Sequence, residues 1–320
     1  MTTQTAHQTS RLLFGAMGLG GTWTDEPYGE TDIDQAETAI TAAVEAGITV
    51  FDHADIYRRG KSEAVFGEVM RRNPGLVNGA TIQTKCGIVL PVGDRGGYYD
   101  LSGESVLAGL EGSLRRLQAD AVDVLLLHRP DPLLDVDSLK PALHRLLQEG
   151  KIKALGVSNM SAAQMDYLQT ELDIPIAVNQ LEMSLSKRDW VESTVLVNHP
   201  TGAGTNFPHG TIEWCRRNGT RLQAWGALAQ GLYSQARESH TPAEAHATDL
   251  VRQLARERNT SPEAIVLAWL LKHPARIEAV IGSTNPQRIK ASADASRQAE
   301  LMTTGEWYEL WTAARGAPLP

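Results

Sequence analysis

ITVFD, residues 48–52, is a short apolar run that ends in a carboxylate. The same design recurs twice in chain order: ATIQTK (80–85) ends in Lys85, and VDVLLLH (122–128) ends in His128. Short runs rich in apolar and β-branched residues read as buried strands. An ionisable side chain at the end of such a strand is costly unless it is paired. Tyr57 stands five residues beyond Asp52, so a phenol joins the three ionisable strand ends. A buried lysine beside a carboxylate and within reach of a phenol makes a proton donor that works near neutral pH. The pattern is that of an enzyme.

Further strand-like runs lie at 11–16 (RLLFGA), 153–158 (KALGVS), 176–180 (IAVNQ), 221–225 (RLQAW) and 278–282 (EAVIG). Helical periodicity fills 32–46, 61–72, 103–118, 137–149, 161–171, 209–218, 243–258 with 261–272, and 286–294. Asp32, Ser161 and Ser261-Pro262 read as helix starts, and Gly47, Gly150 and Gly219 as left-handed caps. Eight strands, each followed by helix, predict a single (β/α)8 TIM barrel over 1–320, with its site at the C-terminal strand ends. A doubly wound sheet is the competitor. It lacks a G-x-G-x-x-G after the first strand: the glycines of GAMGLGG fall at 15, 18, 20 and 21, and no helix opens there. Residues 17–31 and 88–102 read as irregular loops, 184–208 and 234–248 as loop insertions, and 1–10 as flexible.

The 320 residues carry 42% hydrophobic and 21% charged side chains, the balance of a globular protein. A net charge of −8 gives no long-range attraction for nucleic acid, so a bound phosphate needs a local site. Two cysteines without metal spacing, Cys86 and Cys215, read as free thiols in a reducing compartment. No secretory pattern and no apolar run near ~20 residues is present, so a cytoplasmic chain without membrane contact is expected, monomeric or weakly oligomeric.

FDHADIYRRGKSEAVFGEVM (51–70) resembles the signature of the aldo-keto reductase superfamily. The likeness continues in order through TKCG (84–87), LLLHRPDP (125–132), GKIKALGVSN (150–159), NQLEMS (179–184), AWGAL (224–228) and VIGSTNPQRI (280–289). The HADIY and HRPDP variants are most similar to its bacterial YdhF-like oxidoreductases. The resemblance implies that Tyr57 is the general acid, that Lys85 tunes its phenol, that Asp52 pairs with Lys85, and that His128 orients a carbonyl. It departs at His53 and at Arg58-Arg59, which replace common glycines and read as solvated surface. Arg129 reads as structural, paired with Asp131 or another carboxylate.

The resemblance also implies a nicotinamide cofactor, NADP(H), with NAD(H) as the alternative. Ser158, Asn159 and Gln180 are implied to bond the carboxamide, Trp225 to stack on the ring, and Gly226, Ala227 and Leu228 to approach the pyrophosphate. Gly282, Ser283, Thr284 and Arg288 form a strand, a hydroxyl-rich turn and a helix start, which reads as an anion site. Serine and arginine there are implied to contact a 2′-phosphate. The lysine often found at the position of Gly282 is absent, and Ser292 replaces a late asparagine. Trp23, Tyr28, Tyr98 and Tyr99 are expected as pocket walls. The expected activity is NADPH-dependent reduction of an aldehyde or ketone, or the reverse oxidation of an alcohol. A cofactor-binding regulatory or redox-sensing protein is the alternative, disfavoured by the intact tetrad. A metal-dependent hydrolase lacks a ligand set.

Overall fold

The computed structural model describes residues 10–235 and 241–320. Its strands are β1 (Leu12–Gly15), β2 (Val50–Asp52), β3 (Thr81–Cys86), β4 (Ile88–Val89), β5 (Tyr98–Tyr99), β6 (Val122–Leu127), β7 (Ile152–Ser158), β8 (Ile176–Glu182), β9 (Arg221–Trp225) and β10 (Glu278–Ile281). Eight of them close a parallel barrel in the order β1-β10-β9-β8-β7-β6-β3-β2, while β4 and β5 form a small antiparallel hairpin. The helices are α1 (Glu30–Glu45), α2 (Lys61–Arg72), α3 (Gly103–Leu117), α4 (Val136–Gln148), α5 (Ala162–Leu172), α6 (Asp189–Val195), α7 (Thr211–Asn218), α8 (Pro242–Glu257), α9 (Pro262–Lys272), α10 (Pro286–Ser292), α11 (Ala295–Leu301) and α12 (Thr304–Arg315). This is the (β/α)8 architecture expected from the strand–helix alternation.

Local chemistry sets several boundaries. Ser161 caps α5 through Gln164 in a reciprocal capping box, and Ser261 accepts from Ala264 N at 3.0 Å at the head of α9. Gly47, Gly150 and Gly219 adopt φ values of 76°, 69° and 70°. Asp32 is not the cap of α1: the helix begins two residues earlier, and the Asp32 carboxylate accepts from Gly29 N at 2.9 Å.

Two expected loop insertions contain helix. Within 184–208, α6 spans seven residues. Its Glu192 accepts from Trp311 Nε1 and Arg315 Nε of α12, both at 3.0 Å. Such a short helix is specified by these tertiary bonds rather than by its own periodicity. Residues 242–248 of the second insertion belong to α8, in agreement with the helical period read over 243–258 and headed by a Thr241–Glu244 capping box; 236–240 lie outside the described residues. Of the amino-terminal segment expected to be flexible, 1–9 likewise lie outside them.

Register positions the site. Asp52 on β2 lies level with Gln83 on β3, and Gln180 on β8 lies level with Gln223 on β9. Alternation then turns Gln83 and Lys85 inward together. Thr84 faces outward to α2, where its hydroxyl bonds the Glu63 carboxylate at 2.5 Å.

Candidate active site

The barrel interior is polar where β2, β3, β8 and β9 meet. Lys85 is fully buried, and its ammonium donates to Asp52 at 2.7 Å, to the His53 carbonyl at 2.8 Å and to Tyr57 Oη at 3.1 Å. All three ammonium protons are therefore used. Asp52 Oδ1 also accepts from Gln83 Nε2 at 2.6 Å and Gln180 Nε2 at 3.0 Å. Gln83 and Gln223 exchange a reciprocal pair of amide bonds, and Gln223 Nε2 continues to Glu278 Oε2 at 3.1 Å. The glutamines at 83 and 223 were not singled out from the sequence, because a neutral amide inside a strand carries no signal of its own.

Burial dominates the protonation states. It pulls the Lys85 ammonium down, but Asp52 and the Tyr57 oxygen outweigh it and hold the lysine above its usual value. It pushes the Tyr57 phenol up, and Lys85 only partly offsets this. The simple expectation of a phenol lowered by its cationic neighbour is thus corrected in direction: desolvation of the phenolate is the larger effect. Burial, then Lys85 and Arg129, pushes His128 down to about 2, so its imidazole is neutral at physiological pH. The Tyr57 and His128 rings meet edge to face with centroids 5.9 Å apart.

Above this floor lies a cleft of about 510 Å³. Asp52, Tyr57 and His128 line its inner end, with Lys85 buried beneath. Ser158, Asn159, Gln180, Trp225, Gly226, Ala227, Leu228, Gly282, Ser283 and Arg288 line the remainder. A chain of bonds orders the polar wall. Trp225 Nε1 donates to Asn159 Oδ1 at 3.1 Å, Asn159 Nδ2 to Ser158 Oγ at 2.7 Å, and Ser158 Oγ to the Gln180 carbonyl at 2.9 Å.

Arg288 closes the outer end. Its guanidinium donates to the side-chain oxygen of Gln235, in the orientation that satisfies both groups, and lies 3.8 Å from Glu263. Gly231, at φ 81°, makes the approach feasible: a Cβ there would collide with Gln235 and come within 2.9 Å of Arg288. Gly231, Gln235 and Glu263 were not anticipated, since a turn glycine, a glutamine and a helix glutamate are unremarkable in isolation. The expected anion site at the start of α10 needs correction. Asn285 already accepts from the backbone N–H groups of Gln287 and Arg288, so the cation available there is the Arg288 side chain. Thr284 is outside the cleft lining and packs toward Gly18.

None of the four expected pocket aromatics lines the cleft. Trp23 is 43% exposed and lies under the Arg58 guanidinium, 5.4 Å from the ring centroid. Tyr28 packs against the outer core. Tyr98 and Tyr99 point outward from the hairpin, with Arg95 over Tyr98. Loop membership placed them near the mouth, but the hairpin and the Arg58 contact turn the rings elsewhere. Arg58 and Arg59, at φ 50° and 60°, are not merely solvated. Arg58 donates to the Met17 carbonyl at 3.2 Å and Arg59 pairs with Asp25 at 2.5 Å, fastening the first loop beside Tyr57. Arg129 lines the cleft, and it does not pair with Asp131. The Asp131 oxygens accept instead from Leu101 N and Leu133 N, at 3.0 and 2.8 Å.

A closed parallel barrel with a lysine–carboxylate–phenol group at its mouth defines a narrow class. The model of the aldo/keto reductase family matches residues 11–307, and the chain belongs to that family. It is thereby an NAD(P)-dependent oxidoreductase acting on carbonyl and alcohol groups. It is 33% identical to 6-dehydroglucose reductase of Agrobacterium fabrum, over 97% of this chain and 95% of the relative. It is 32% identical to oxidoreductase YdhF of Escherichia coli, over 89% of each chain. A glycerol dehydrogenase structure from Gluconobacter oxydans matches with a TM-score of 0.79 at 25% identity, covering 98% of this chain and 94% of that one.

Proposed function

We propose that the chain reduces aldehydes or ketones with NADPH, with Tyr57 as the proton donor. The observation that carries this reading is the Lys85 ammonium held between Asp52 at 2.7 Å and Tyr57 Oη at 3.1 Å, directly under the cleft. A bound nicotinamide supplies the hydride. Tyr57, kept protonated by burial, gives its proton to the carbonyl oxygen as that oxygen gains charge. The phenolate left behind faces the Lys85 ammonium, and Asp52 keeps that ammonium charged and oriented. Neutral His128 offers one N–H donor to the same oxygen, which fixes the carbonyl against Tyr57. General acid help of this kind contributes roughly 10²–10⁴-fold.

The wall suits a carboxamide. Gln180 spends its amide N–H groups on Asp52 and Gln223, so its oxygen is the group left to accept. Asn159 Nδ2 keeps a second N–H beyond its bond to Ser158, and Trp225 offers an indole face. Arg288, 35% exposed at the outer end, suits a phosphate and favours NADPH over NADH. Fluorescence titration with both cofactors, followed by steady-state turnover of a panel of aldehydes and ketones, tests the assignment. Tight cofactor binding without turnover of any carbonyl would favour a regulatory protein of the same fold.

A further inference from the structure

Arg129 is a cation at the reacting end of the cleft, and its side chain makes no hydrogen bond or ion pair among the described residues. The neighbouring carboxylate that sequence proximity offers it, Asp131, is committed to two backbone N–H groups. The charges along the cleft lining are uneven. Among the described residues Asp52 is its sole carboxylate and is neutralised by Lys85, whereas Arg129 and Arg288 are both cationic and stand at opposite functional ends. Arg288 has Gln235 and Glu263 to engage it; Arg129 has neither kind of partner among the described residues. A half-buried guanidinium without a counter-ion among the described residues, next to His128, presents a planar fork of donors to whatever enters beside the reacting carbonyl.

We propose that Arg129 receives an anionic group of the substrate, so that the preferred carbonyl compounds carry a carboxylate or a phosphate a few bonds from the aldehyde or ketone. The inference rests on the carbonyl-reductase reading and deepens it. The guanidinium takes two oxygens of the anion in a bidentate pair while the carbonyl oxygen lies against Tyr57 and His128. Short oxo acids and phosphorylated aldehydes meet both requirements; neutral aldehydes of the same length meet only one.

The test compares matched pairs: 4-oxobutanoate with butanal for the carboxylate, and glyceraldehyde 3-phosphate with glyceraldehyde for the phosphate. Wild-type protein should favour the anionic member of at least one pair by roughly ten- to a hundredfold in kcat/KM, the scale of a charge-assisted contact. Added salt should shrink that ratio. Arg129→Met should bring it near one, and Arg129→Lys, which keeps the charge but loses the fork, should give an intermediate ratio. Equal kcat/KM within both pairs for the wild type overturns the inference while leaving the reductase reading intact. A binding arm separates the two ideas: butanoate, which has no carbonyl to reduce, is titrated against tryptophan fluorescence. Butanoate binding that weakens at least tenfold in Arg129→Met supports the anion site even if no aldehyde turns over. Binding unaffected by the substitution counts against it.

Discussion

At the inner end of the cleft the Lys85 and Asp52 side chains are 0% and 3% exposed and stand on adjacent strands; at the outer end Arg288 is 35% exposed and its contact Gln235 comes from a loop. The inner group is over-determined. Every Lys85 proton has a partner, and Asp52 is held from three sides. The outer group depends on a turn with left-handed residues at Ala229, Gln230 and Gly231. A proton donor needs fixed geometry and little water, which strands in a barrel provide. A group set by a loop at the rim of a cleft suits ligand contact rather than proton transfer. Losses at the inner end should therefore appear in turnover, and losses at the outer end in cofactor affinity.

The sharpest break would come from Tyr57→Phe. Turnover should fall by at least ~10², with NADPH affinity within a few-fold of wild type. Near-normal turnover would remove Tyr57 from the chemistry. Lys85→Met should lower turnover by on the order of 10² and move the basic limb of the pH–rate profile upward, because Lys85 is what offsets burial of the phenol. A retained rate with an unmoved limb would dissolve the link between ammonium and phenol.

Arg288→Ala acts at the other end. NADPH should bind roughly 10- to 100-fold more weakly, NADH much less so, as read by fluorescence titration. Equal losses for both would make Arg288 structural. The smallest effect concerns the wall behind the inner end. Burial, then Glu63, pushes Asp55 up to about 7, against an ordinary value of 3.8. The unfolded chain releases this proton at lower pH than the folded one, so Asp55 makes the protein less stable as pH rises from about 4 to about 7. Asp55→Asn should therefore gain stability relative to wild type between pH 5 and pH 7, on the order of 1–2 kcal/mol by urea unfolding. A difference that stays constant with pH would show that Asp55 ionises normally. His53 and His128, pushed down to about 3 and about 2 by burial and then by Lys85, act in the opposite sense. They favour the folded state above pH ~6.5, and that share is lost as acid rises toward their folded values.

The inner end was legible because expense is visible in a sequence: an aspartate, a lysine and a histidine each ending a core strand need a reason. The barrel was legible for a related cause, since eight strand runs alternated with helical period. What escaped was structure that depends on partners. α6 exists because Glu192 reaches Trp311 and Arg315, more than a hundred residues away in the chain. Helices α11 and α12 lie beyond the last segment, 286–294, in which helical periodicity is read. Arg129 reads from the sequence as paired with Asp131 or another carboxylate, but the backbone claims Asp131. The aromatics at 23, 28, 98 and 99 were placed by loop, and a loop address does not fix where a ring points.

The amides of Gln83, Gln180 and Gln223 have a direction as well as a position. Carboxylates only accept, and each amide has one donating and one accepting end. With Asp52 at the mouth and Glu278 at the base both demanding donors, the amides between them are left with a single orientation. The barrel interior behaves like a short column of ice with both faces pinned. An Asp52→Asn exchange keeps one oxygen to accept from Gln83 and Gln180 and turns an N–H group toward the Lys85 ammonium, so the mismatch falls on the lysine. Neutralising Glu278 relaxes only the far end, because Asp52 still holds Gln83 and Gln180 in their present sense. The carboxylate at the mouth is thus a boundary condition on the amides that run down to the base of the barrel.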